Sequence, residues 1–345
     1  MAIVYDGPIS PDALTTFIRN VPVESQLALV NLFPTRYVSS NRIDWAEFVK
    51  TNRTAAYRSF DGIIHVSSRD AGSGKYVELL PFSDSLNRGE YETIATEIAR
   101  LGGTNRAAQV QAAYNDAERL VGTMNNRREL AWGDVLTDGK LTINENGFNG
   151  EADYGVPANQ IVSAGTVWSD HTNATPLQDL DAWQEVRIAN GYGRAAQMVL
   201  SRTVVGHLRR NKEIIDAVYG ATQGRTMVSL ADLNTVLESN DLPRVSLQYD
   251  TSLNVEGSNT RVLASDKVII LPENPGDVGA FFYGLSATAL ELARSNQAEM
   301  TFGDAAGIVG VVEKVGPPYR EFTFVDAVGM PILTNAGLLT VADVL

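Results

Sequence analysis

Chemistry in a protein needs nucleophiles, bases, metal ligands or phosphate cradles at workable spacing, and this chain of 345 residues offers few of them. It contains no cysteine, which removes disulfides, thiolate nucleophiles, cysteine zinc sites and iron–sulfur clusters together. Its three histidines, His65, His171 and His207, are widely scattered and show neither triad nor metal-ligand spacing, so they read as surface or loop residues. Gly72-Ser73-Gly74-Lys75 has the end of a phosphate loop, but the full pattern wants Gly at 69 and Ser or Thr at 76, where Arg69 and Tyr76 stand. It reads as a hairpin tip. Gly191-Tyr192-Gly193-Arg194-Ala195-Ala196 echoes a dinucleotide fingerprint, yet it follows a predicted helix and precedes a predicted strand, the reverse of what that site requires. It reads as a helix stop. Thr142, Asn144, Asn146, Gly147 and Asp153 loosely occupy calcium-loop positions, but Thr142 replaces the leading carboxylate and the flanks are strand-like, which makes a β-turn. Glu145, Glu151 and Asp153 have no spacing that aims them at one point and read as a solvated face. No catalytic residue, metal set or cofactor site is expected.

Composition narrows the class further. With 44% hydrophobic and 20% charged residues the chain has the mix of a folded globular protein, and its length fits about two domains. A net charge of −13 repels a phosphate backbone, so sequence-specific nucleic-acid binding is not expected. The N-terminus lacks a basic stretch followed by a long apolar run, and no later window holds the ~18–20 apolar residues of a membrane span. Cytoplasmic synthesis without export is the expectation.

The elements that would position any functional group come next. Ser10-Pro11 predicts a helix start, with Leu14, Phe17 and Ile18 on one face. Val21-Pro22 and Asn31-Leu32-Phe33-Pro34 predict an extended, proline-broken apolar arm that needs another surface to cover it. Residues 57 to 83 hold two β-rich runs around the tip at 69 to 74, a long hairpin that must lie on something because isolated two-stranded ribbons are marginal. A helix is predicted from Tyr91 to Leu101. A second runs from about Thr104 to Asp138, carrying Val110, Tyr114, Ala117, Val121, Met124, Trp132 and Val135 over ~45 Å. After a polar hairpin-like turn, helices are predicted over 179–190 and 201–219, with a β run over 197–200. Strands are predicted over 245–249, 261–263, 267–271, 280–283, 309–315 and 321–327.

This order resembles the coat-protein fold shared by tailed phages and herpesviruses. Three segments are similar to the lambda-type major capsid family: Arg127-Arg128-Glu129-Leu130-Ala131-Trp132 leading to Val135-Leu136-Thr137-Asp138-Gly139-Lys140, Ser163-Ala164-Gly165-Thr166-Val167-Trp168 with Pro176 and Leu177, and Tyr319-Arg320-Glu321-Phe322-Thr323 followed by Met330-Pro331-Ile332-Leu333-Thr334. The resemblance covers nearly the whole chain, and it rests on the order and spacing of these segments.

The resemblance implies an α+β tailed-phage major capsid fold. It divides into an N-terminal arm (1–50), an extended β-hairpin loop (51–88), a peripheral domain with a spine helix (89–154), a mixed α/β axial domain (155–310) and a C-terminal return to the peripheral domain (311–345). It implies a non-enzymatic, virion-located subunit forming pentamers and hexamers around a phage genome, with portal protein and a possible decoration protein as partners. Some relatives carry a domain-length self-scaffolding segment, whereas about 50 residues precede the hairpin here, so a separate scaffolding protein and an untrimmed chain with ordered termini are expected. Arg58, Asp61, Arg69, Asp70, Lys75 and Glu78 on the hairpin are candidate intersubunit contacts, the alternative being exposed ion pairs worth ~0–1 kcal/mol. Lysine–asparagine crosslinks occur in some relatives. Lys75 and Asn335 are the one pair nominated, and no activating carboxylate is identifiable. The rival reading from another class is a soluble α/β enzyme such as a hydrolase.

Overall fold

A computed structural model describes residues 9–44, 76–89, 91, 92, 94, 106–145, 147–220, 224–255, 257–294, 305–317 and 320–345. The predicted hairpin run at 57–66, its tip at 69–74 and most of the helix predicted at 91–101 lie outside the described residues.

Ser10 and Pro11 open α1 (Pro11–Asn20) as predicted, and Leu14 and Ile18 are fully buried on its inner face. That face lies on β14 (Val309–Val315) at Gly310, where any Cβ would collide with Ile18. The expectation of an extended arm is corrected next. Residues 28–32 form a short helix, α2 (Ala28–Leu32), and Leu27, Leu29, Val30 and Phe33 are buried in the chain's own core. Pro22 and Pro34 stand just outside the two helices, where a ring without an N–H is tolerated, so their spacing marks helix limits and not an extended path.

The long predicted helix is α3 (Arg106–Asp138), 33 residues or about 50 Å. Ala117, Leu120, Val121, Met124, Trp132, Val135 and Leu136 bury along it, and Phe33 stacks on Trp132 with ring centroids 4.0 Å apart. It stops where predicted, at Gly139, whose positive φ of 77° turns the chain while its N–H donates to Val135 O. Next comes the hairpin β5 (Lys140–Glu145) and β6 (Phe148–Asp153).

Two larger sheets organise the rest. In the first, β1 (Thr35–Tyr37), β13 (Gly279–Tyr283), β15 (Arg320–Leu333) and β14 are neighbours in that order, with β4 (Pro81–Arg88) also on β15. Phe82, read as part of the long hairpin, therefore belongs to a strand paired with Ala327 and its neighbours. The second sheet runs β7 (Ile161–Ser163), β16 (Thr340–Asp343), β12 (Lys267–Leu271), β8 (Gln197–Leu200) and β9 (Arg244–Gln248). The expected split at residue 310 does not follow sheet membership, because β13 pairs with β15 while β16 pairs with β12.

Helix α4 (Pro176–Ala189), α5 (Arg202–Arg210), α6 (Lys212–Tyr219) and α7 (Leu230–Ser239) pack on this second sheet. The single helix expected over 201–219 is two. Asn211, fully buried and extended, accepts from Glu213 N and donates from Nδ2 to Ala174 O, so its side chain competes with the helical backbone and starts a new helix. The hairpin β10 (Ser252–Val255) and β11 (Ser258–Arg261) displaces the strand expected at 261–263, and α8 (Ala287–Arg294) follows β13. The fold is α+β.

Removing the Trp132 ring should open a cavity beneath the arm. Trp132→Ala is expected to lose about 3–5 kcal/mol, read as a lower urea midpoint, with earlier protease cleavage within residues 9–34. A midpoint indistinguishable from wild type contradicts this packing.

Candidate assembly interface

The strongest polar constraint lies on the spine. Glu129 is fully buried on α3, and its carboxylate accepts three hydrogen bonds: Leu29 N at 3.0 Å, Val30 N at 2.8 Å and the Tyr249 hydroxyl at 2.6 Å. The two amides are at the start of α2, which leaves such donors unpaired and places a partial positive charge toward an anion. Burial nevertheless pushes the Glu129 carboxyl above its ordinary range, with the three donors pulling the other way. Its neighbour Arg128 donates to Asn125 Oδ1 at 2.9 Å and Thr35 Oγ1 at 3.0 Å, and lies 4.8 Å from the Phe281 ring centroid. Helix, arm and sheet are thus pinned by adjacent residues of one turn.

The base of the predicted hairpin is a ladder between β2 (Arg42–Asp44) and β3 (Tyr76–Glu78). Arg42 is paired in register with Glu78, and its guanidinium lies 3.7 Å from the centroid of the Tyr76 ring. Asn41 fastens this base to the main body, its amide bonding both Leu285 N and Leu285 O at 2.7 Å. Of the nominated contact residues, Glu78 is described and exposed; Arg58, Asp61, Arg69, Asp70 and Lys75 lie outside the described residues. Asn335 is half-buried at the head of a short turn, with its N–H donated to Val278 O.

An open groove of about 820 Å³ runs between α3, β4, β15 and the β5–β6 hairpin. Phe82, Met124, Leu141 and Met330 make its apolar walls, and Phe148 stands about half exposed at its lip. Asp134 within it accepts from Thr142 N at 2.7 Å, and burial raises its carboxyl. The carboxylates weighed as a cluster are divided: Glu145 pairs with Arg127, while Glu151 and Asp153 face Lys140 at 3.0 and 3.9 Å. Thr142, Asn144 and Asp153 sit on different rungs of the ladder and do not converge. Among the described residues no group of three metal-ligating side chains is found, and no helix is long and apolar enough to cross a membrane. Sequence reasoning missed one juxtaposition: His171 and His207, separated along the chain, face each other with Nε2 and Nδ1 2.9 Å apart. No spacing rule links a loop histidine to one on a later helix, and the contact exists only through tertiary packing.

Glu129→Ala leaves three buried donors without an acceptor and should cost about 3 kcal/mol or more, read from urea denaturation. Glu129→Gln tests the charge. Because the folded carboxyl binds its proton more tightly than the unfolded one, its contribution is whole below the unfolded value of about 4.5 and is lost as pH rises through the folded value. The Gln variant should therefore show a flatter loss of stability than wild type as pH rises from about 4.5 toward neutrality.

Comparison with known proteins places this architecture. Residues 10–300 match the family described as phage major capsid protein E. A prophage protein of Escherichia coli CFT073 assigned a capsid role superposes with a TM-score of 0.61 at 13% identity, covering 98% of this chain and 99% of that one. A phage-related protein of Bordetella bronchiseptica RB50 superposes with a TM-score of 0.57 at 14% identity, covering 99% and 98%. Both share the fold. No curated protein matches. The hydrolase reading gives way, because the matched family is structural and its match covers most of the chain, with strands of both sheets in it: the chain belongs to the phage major capsid protein E family and is a structural subunit of a phage capsid shell.

Proposed function

We propose that the chain assembles through pentamers and hexamers into the icosahedral head shell of a tailed phage and encloses its genome. A separate scaffolding protein and a portal protein would direct closure in the host cytoplasm, and a decoration protein is an optional outer partner. The observation that carries this reading is the β2–β3 ladder. It holds the two ends of residues 45 to 75 side by side, with Arg42, Tyr76 and Glu78 exposed there. In this reading that stretch lies across the adjacent subunit, and Arg58, Asp61, Arg69, Asp70, Lys75 and Glu78 set its register there.

The β1-β13-β15-β14 sheet with α3 would form the peripheral domain. The β7-β16-β12-β8-β9 sheet with α4 to α7 would form the axial domain around the five-fold and six-fold axes. One sequence then occupies several environments, which closed symmetry with quasi-equivalent positions requires.

Co-expression with a scaffolding protein, followed by sedimentation and negative-stain microscopy, is expected to yield shells or capsomers; a uniform monomer under those conditions overturns the proposal. Boiled, denatured particles should run as one band at the monomer mass of 37.3 kDa. A ladder of multiples would instead indicate covalent joining, with Lys75→Arg and Asn335→Ala as the variants that must abolish it.

A further inference from the structure

The histidine pair has a function in neither reading above. His171 lies in the loop before α4 and His207 in the last turn of α5, with Nε2 and Nδ1 2.9 Å apart and ring centroids at 5.1 Å. At that distance one neutral ring donates its N–H to the lone pair of the other. One added proton preserves the bond in charge-assisted form. A second leaves an N–H on each ring aimed at the other, and attraction becomes repulsion. We propose that the His171–His207 pair is an acid-sensitive latch, fastening the 169–175 loop to α5 and releasing it when both imidazoles are protonated.

The surroundings decide how the latch responds. On the loop, Asp170 accepts from Thr172 N, Asn173 N and Asn173 Nδ2, which hold its carboxyl below the ordinary range, so a carboxylate stands beside His171. On α5, Arg210 faces His207, while Arg209 is turned away to Val228 O. On α6, the Lys212 N–H donates to His171 O at 2.8 Å, and Glu213 is engaged with Leu177 N and Gln178 Nε2 at the start of α4. Burial first, then His171 and Arg210, hold His207 below the ordinary imidazole value of 6.5. A ring lowered in the folded state contributes stability that is whole above the unfolded value and lost as pH falls through the folded one. Release therefore belongs to mild acid.

The other bonds that tie this loop to its neighbours are backbone or amide hydrogen bonds, Asn211 Nδ2 to Ala174 O and Lys212 N to His171 O. The histidine pair is the link between loop and α5 that an added proton can turn from attraction to repulsion. Because the latch is internal to one subunit, it does not depend on the capsomer arrangement proposed above.

Amide hydrogen exchange of the full-length chain tests it, comparing about pH 7.5 with about pH 5 after correction for intrinsic exchange. Lys212, Thr172 and Asn173 amides report on the loop, and Trp168, stacked on Trp183 at 5.9 Å, reports by fluorescence whether the surrounding core stays folded. Wild type is expected to lose about tenfold in protection at these amides in acid, equivalent to about 1.4 kcal/mol. His207→Gln and His171→Gln, each with one imidazole left, should lose that pH response while keeping the tryptophan signal. Unchanged wild-type protection at the two pH values overturns the latch, and so does a full wild-type response in either variant. If a variant fails to fold at neutral pH, the wild-type comparison alone decides.

Discussion

A single buried carboxylate sets the relation between the parts of this subunit. Taking Glu129 out of water is costly, and three donors offset that cost only when each is in place. Two of them are the first free amides of α2, so the arm must form a helix there and must point its N-terminus at the spine. The third is Tyr249, at the end of β9, so the second sheet must return to the same point. Thr251 repeats the connection by donating to Gln26 O at 3.0 Å. The N-terminal segment, the long helix α3 and the second sheet are held by a group whose satisfaction requires all three together.

The second sheet explains why the two halves cannot be separated cleanly along the chain. Ile269, Leu271, Val199 and Val341 face the large core of the arm and spine, whereas Val268, Ile270, Met198, Leu200 and Ala342 face the core under α4 to α7. Both faces of β8, β12 and β16 are therefore buried. Strands covered on both sides lose the alternation of a half-exposed strand and read as continuous apolar runs, as in Gln197–Leu200 and Lys267–Leu271. The sheet is the wall shared by the two cores, and the chain crosses it repeatedly.

That property decided what the sequence made legible. The runs at 197–200 and 267–271 were readable to the residue, because apolar runs bounded by polar residues have one meaning there, and 309–315 was readable from its valine-rich composition. The spine helix and its stop were readable because an apolar stripe and a glycine carry local signals. The three segments behind the family resemblance turn out to be junctions. Arg127 to Trp132 holds the buried carboxylate, its arginine neighbour and the ring under Phe33. Trp168 donates to Asp179 and to Val344 O, and Pro331 O accepts from Tyr154. What stayed hidden depended on distant partners: the helix break at Asn211 needs Ala174, the folding of the arm needs Glu129, and the histidine pair needs a loop and a helix brought together. Pairing of β4 with β15 was likewise invisible, since Phe82 has the same local pattern in a ribbon or a sheet.

The turn joining β15 to β16 carries the chain from the first sheet into the second, and its contacts are directional. Arg187, buried on α4, donates to Leu338 O at 2.6 Å and Gly193 O at 3.2 Å, and the Tyr192 ring lies so close over Gly337 that no side chain fits there. Burial lowers the guanidinium to about 10, which still leaves it charged at neutral pH. An apolar residue of similar size would strand both carbonyls without a donor, so the charge is retained for its hydrogen bonds and not for any ion pair. A joint built this way holds one geometry. In the shell proposed above, accommodation to different neighbours then falls on the two-stranded elements outside the large sheets, the β2–β3 base, β5–β6 and β10–β11. Ribbons of that kind take much of their stability from whatever they lie against, so their conformation can follow the neighbour.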